Sequence, residues 1–134
     1  MVRILIGIVL IAHGIGHSLG LIGAFKVATT NPSWNGDSWL LTGVVGTTAT
    51  QAIGSVLWGV ALVLFVALGF VAFGWLPDAW WAPIGILASA ASLVGIVLFP
   101  VAFPTFSSIA AAVVDLVVLA SIFWFHWTPA ELAA

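Results

Sequence analysis

What this chain has least of is charge. Of its 134 residues only 4% are Asp, Glu, Lys or Arg and 63% are hydrophobic, whereas a soluble domain usually carries about a quarter charged residues. That balance excludes a water-soluble globule and indicates an integral membrane protein. The basic residues are two, Arg3 and Lys26, too few to neutralise a run of phosphates, so nucleic acid is excluded as a partner. Cysteine is absent, which excludes a disulfide framework, a thiolate metal site, a cysteine-ligated iron–sulfur cluster and covalently attached c-type haem. The formal charge of -2 implies nothing about partners. Missing too is the alternating apolar and polar pattern of a transmembrane barrel, which leaves helices as the way to satisfy the backbone inside hydrocarbon. No internal repeat is visible.

What is present is four long apolar runs, at about 4–26, 51–74, 82–100 and 105–127, each near the ~20 residues that cross a bilayer. The expected fold is all-α, an integral membrane four-helix bundle, with 1–134 a single transmembrane domain. The first run follows a basic start but continues from Ile4 to about Phe25. This is longer than a signal-peptide core of roughly 7 to 15 residues, so it reads as a retained span. Punctuation lies between the runs. "TTNPSWNGDSW" falls within a long loop, 27–50, "GWLPDAWWAP" is a tight turn, and in "FPVAFPTF" Pro100 and Pro104 deny backbone donors and end helices. Asn31-Pro32-Ser33 is no glycosylation acceptor, because proline holds the middle position. Asp37 and Asp78 fall in these connections as solvated charges, and no connection is long enough to fold on its own.

An even number of spans puts both termini on one side. Trp75, Trp80, Trp81, Trp124 and Trp127 are expected there as an aromatic belt, with Trp34 and Trp39 at the opposite interface. Arg3 and the N-terminal amine favour the terminal side as cytoplasmic, against Lys26 at the far end of span one. The expected location is the plasma membrane of a prokaryote, with both termini inside.

In so apolar a chain the few polar groups carry the functional signal. "AHGIGHSLG" places His13 and His17 four apart, and Ile6, Val9, His13, Gly16, His17, Gly20 and Ala24 form one helical stripe. Gly16 and Gly20 make a small-xxx-small pair that predicts close approach of another helix. Span four holds Asp115, a carboxylate at mid-membrane depth and therefore a functional candidate that needs a partner. Counted from Lys26 and from Phe106, His17 and Asp115 are each nine residues in, so the stripe is expected to meet the face of Ser108, Ala112, Asp115, Leu119, Ile122 and His126. Gln51, Ser55 and Trp58 on span two, and Ser89 and Ser92 beside Gly85 and Gly95 on span three, are candidates to line the same cavity, with Gln51 and Trp58 as cofactor-binding residues. Serines and small residues are equally ordinary packing between membrane helices. His126 and Glu131 read as interfacial, Arg3 and Lys26 as span-end anchors.

Three chemistries use the same residues. His13, His17 and Asp115, as catalytic candidates, could relay protons while a quinone is reduced, since imidazoles titrate near physiological pH. Two neutral imidazoles and a carboxylate could instead hold a divalent metal, although His-Gly-Ile-Gly-His lacks the glutamate base of a zincin helix. Haem b would want axial histidines on facing helices, and the one histidine outside span one, His126, lies more than a turn from the depth of His13, which argues against it.

The segment "RILIGIVLIAHGIGHSLGLIGAF", about 23 residues, resembles the first span of DoxX-like membrane proteins, in which an apolar helix carries a His-Gly pair followed by a further basic or polar residue and the chain continues as four spans. The resemblance implies a quinone-linked or accessory role in a membrane redox system, with His13, Gly14 and His17 as the matching positions. The chain departs from the pattern in carrying His17 where lysine is frequent and in the loop of about 24 residues after span one. The leading expectation is a redox-associated protein that meets a quinone or similar hydrophobic molecule. The alternatives are an accessory subunit of a larger membrane complex or homo-oligomer, and a small ion or proton transporter or channel.

Overall fold

The computed structural model describes residues 1–25 and 34–132; Lys26 and Asn31-Pro32-Ser33 lie outside them. Among the described residues there is no strand, and four helices are long and apolar enough to span a membrane: Val2–Ala24, Thr47–Phe73, Asp78–Leu98 and Thr105–Phe123. The protein is an integral membrane four-helix bundle, and these are its first to fourth spans.

Local chemistry sets the ends. Gly46, at φ +79, separates the short helix Thr42–Val45 from the second span, which therefore starts at Thr47 rather than 51. Thr50 strengthens that start by returning its hydroxyl to the Gly46 carbonyl, 2.8 Å. At the other end Gly74 takes the left-handed conformation at φ +80. Its N–H bonds the Val71 carbonyl at 2.9 Å, and that of Trp75 bonds Phe70 at 3.0 Å. This is a Schellman stop, with the Trp75 ring stacked on Phe70. The fourth span ends at Phe123, not 127. Beyond it Trp127 N–H turns back to the Ser121 carbonyl and His126 adopts φ +49, so His126 lies outside the helix, exposed.

Each span packs on the next in the chain, whereas the first and fourth barely approach one another. The second is central, with Trp58, Ala61, Phe65, Leu68 and Val71 fully buried. Glycine lets the first span lie close against it. A Cβ on Gly14 would sit 3.0 Å from the Leu62 carbonyl oxygen and 3.1 Å from Val66 N, and one on Gly20 would sit 2.8 Å from the Trp58 ring. A Cβ on Gly7 would run into the Phe73 ring. Gly16 has nothing within 4 Å of that position. Gly7, Gly14 and Gly20 are thus the close-packed glycines, and of the expected pair Gly16 and Gly20 only Gly20 lies against the second span.

The aromatic belt also needs correction. Trp75, Trp80, Trp124 and Trp39 are exposed, but Trp81 and Trp34 are core residues, 2% and 7% exposed. Trp81 meets Trp127 edge-on and Trp34 meets Phe99 edge-on, and Trp34 also gives its indole N–H to the Asp37 carbonyl.

Candidate functional site

The first span is not one uninterrupted helix: Val2–Gly16 and Ser18–Ala24 join at His17. There the backbone tightens, His17 N–H bonding Gly14 three residues back and Gly20 N–H bonding His17, a local 3₁₀ geometry favoured by the two glycines beside it. The rings of His13 and His17 touch edge to face, centroids 4.8 Å apart, and both pack on Phe65, yet only His13 bonds the fourth span. His13 packs on Phe65 and faces the fourth span; His17 stacks on Trp58 of the second, centroids 5.6 Å apart.

Asp115 is fully buried and both of its oxygens are occupied. His13 Nε2 lies 3.1 Å from Oδ1, and the Ser92 hydroxyl donates to Oδ2 at 2.6 Å. Three spans are thereby tied into one polar chain, Ser92 to Asp115 to His13, inside hydrocarbon where an unsatisfied polar group is costly. The partner of Asp115 is His13, one turn from the His17 expected by depth. The helix ends explain the shift. From the observed ends, Asp115 is ten residues past Thr105 and His13 eleven before Ala24, whereas His17 is only seven.

His13 and His17 both line a cavity of about 460 Å³ between the first and fourth spans, with Gly16, Phe103, Ser107 and Ser108 among its other walls. His17 is 4% exposed, and its Nε2 is buried without a hydrogen-bond partner among the described residues. Trp58 Nε1 behind it is likewise unpartnered. An orphan of that kind costs on the order of 1–3 kcal/mol and marks a place where a ligand atom would be favoured.

The other candidates separate. Trp58 backs the cluster from behind His17. Gln51 lies apart, its amide 3.5 Å from the Asn35 carbonyl in the loop, and Ser55 returns its hydroxyl to the Gln51 carbonyl; neither lines the cavity. Ser89 is buried with no partner for its hydroxyl. Among the described residues no group of three or more His, Asp or Glu side chains converges as a metal-ligand set, and the paired oxygens of Asp115 account for why His13, His17 and Asp115 do not form one. Ser92 matters more than its sequence context suggests. The signal was that Gly85, Ser89, Ser92 and Gly95 share a face, which the structure buries. Phe65 and Phe103 carried no signal beyond hydrophobicity.

Arg3 does more than anchor a span end. Its guanidinium donates to the carbonyls of Ala72 and Val71 and lies 3.7 Å from Asp78, so it caps the C-terminal end of the second span and Asp78 is paired rather than merely solvated.

No protein-family model, curated protein or solved structure matches this chain. Fold and site together define a small integral membrane protein with a buried His–Asp pair beside a cavity between its outer spans.

Proposed function

We propose that this protein is redox-associated and binds a quinone in the cavity between the first and fourth spans, against His13 and His17. The observation that carries the reading is that the polar chain from Ser92 through Asp115 ends on the cavity wall at His13. A volume of about 460 Å³ is within the range of small-molecule sites, which pair apolar walls with a few placed polar groups. The imidazoles and the Ser107 and Ser108 hydroxyls are the wall groups able to hydrogen-bond a quinone oxygen, and of these the imidazoles can also move a proton near neutral pH. The first-span resemblance to DoxX-like membrane proteins supports the same assignment.

Reduction of a quinone to its quinol consumes two electrons and two protons. The residues of this chain handle the oxygen and the proton: Asp115 orients His13 by its hydrogen bond, and Ser92 fixes Asp115. The electrons belong to a donor dehydrogenase at the membrane, the class of partner this reading requires. The chain is then the quinone-holding member of a larger assembly. Purification in mild detergent followed by solvent extraction tests the proposal. Quinone should co-purify with the native protein and be lost from folded His17→Ala and Asp115→Asn variants. Native protein that carries no quinone and does not bind an added short-tailed one would overturn it.

A further inference from the structure

The cavity beside His13 does not end there. A second, of about 310 Å³, continues down the same seam between the first and fourth spans, lined by Leu5, Ile6, Val113, Val117, Trp81 and Trp127. Val9 and Val114 line both cavities, at the level of the His13–Asp115 bond. From Ser108 in the upper cavity to Ser121 in the lower, the fourth span rises about 20 Å at ~1.5 Å per residue, roughly two thirds of a ~30 Å hydrocarbon core.

Polarity is segregated along this groove. Imidazoles and the Ser107 and Ser108 hydroxyls are confined to the upper part. Among the described residues the lower part has no titratable side chain; its one hydroxyl, Ser121, is already given to the Val118 carbonyl at 2.6 Å, and two indoles add the remaining side-chain polar atoms. Among the described residues neither part is lined by Lys or Arg, and these walls give a phosphate or other anionic head no counter-charge. The unpartnered Nε2 of His17 adds a buried hydrogen-bonding atom at the upper end, where it joins the imidazole and hydroxyl groups, whereas the lower end has the indole N–H of Trp81.

We infer that the groove holds a single-tailed amphiphile lengthwise: an uncharged carbonyl- or hydroxyl-bearing head beside His13 and His17, and a hydrocarbon tail running along Val113 and Val117 toward the side of the membrane that holds the termini. The identity of the head rests on the quinone reading; the place and direction of the tail do not. Because the seam is open to lipid, the molecule slides in sideways from the bilayer, and its head sits nearer the side of the long loop.

The test is photolabelling in phosphatidylcholine nanodiscs with a quinone whose tail ends in a diazirine, the labelled peptides being located by mass spectrometry. Label is expected within 2–10 and 113–121, competed by unlabelled long-tailed quinone, and reduced about tenfold in Val117→Trp. Val117 is 63% exposed, so the added ring enters the groove without opening the core; Val113→Trp serves as an independent block. Both variants should bind a tail-less quinone within about twofold of the native protein. Label spread over the lipid-facing residues of the second span, unaffected by either block, would overturn the inference. Groove labelling by a plain alkyl diazirine that quinone fails to compete would keep the tail site and overturn the quinone head.

Discussion

The first span has two neighbours and treats them in opposite ways. Against the second it is sealed, backbone close to backbone through Gly7 and Gly14, with aromatic rings of the second span filling what the missing side chains leave. Toward the fourth it is open, bridged by His13 and Asp115 and flanked by two cavities. Since lipid is as apolar as leucine, membrane helices associate where small residues allow close contact or where polar groups bond. The first seam uses the former device and the second the latter. A seam held by packing has no room for a ligand, whereas one held by a single polar bridge leaves space above and below it.

The sharpest way to break this contrast is to place equal bulk on each seam. Gly14→Leu drives carbon into the Leu62 carbonyl and Val66 N, backbone atoms that cannot swing aside, and should cost about 3 kcal/mol or more. Gly16→Leu, two residues on, meets open space and should leave the thermal midpoint in detergent within a degree or two of native, while filling the upper cavity and expelling its ligand. Circular dichroism melts and quinone extraction on the two variants check both halves. Equal destabilisation would mean that the open seam closes in the bilayer.

The next effect is at the bridge. His13→Ala leaves a buried Asp115 oxygen without a partner, and Ser92→Ala does the same to the other; each should cost about 1–3 kcal/mol. A double-mutant cycle of His13→Ala with Asp115→Ala should give a coupling of about 0.5–3 kcal/mol, measured by unfolding in mixed micelles. Additive losses would show that the two groups do not hold the seam together. His17→Ala should lose ligand and also cost stability, because the buried ring packs on Trp58 and Phe65.

That division bears on what was legible in the residues. Hydropathy and the prolines revealed four spans, with ends that differ by up to four residues from those of the structure, because hydrocarbon demands long apolar helices and proline stops them. His13, His17 and Asp115 stood out for the same reason. Their pairing did not, since depth is counted from helix ends, and a two-residue difference at Ala24 with a one-residue difference at Thr105 moves the match from His17 to His13. Which glycine packs was hidden as well. Gly14 and Gly16 differ by about 200° around the helix, and composition says nothing about which direction holds a neighbour. Ser92 and Arg3 needed contacts between spans that no single helix reveals.

Arg3 yields the smallest effect, and it probes the sealed seam at its outer end. Two kinds of interaction meet on its guanidinium: donation to the Ala72 and Val71 carbonyls, and an ion pair with Asp78 whose side chain is 42% exposed. Exposed pairs contribute about 0–1 kcal/mol and fade with salt, whereas bonds to the last carbonyls of a helix are local and less screened. Arg3→Ala should therefore lower stability by roughly 0.5–1 kcal/mol, and most of that loss should survive in high salt. Asp78→Asn should cost less and lose its effect as salt rises. Unfolding midpoints for the two variants at low and high ionic strength separate the contributions. If Arg3→Ala matched Asp78→Asn at every salt concentration, the cap would contribute nothing, and glycine packing alone would hold the first span to the second.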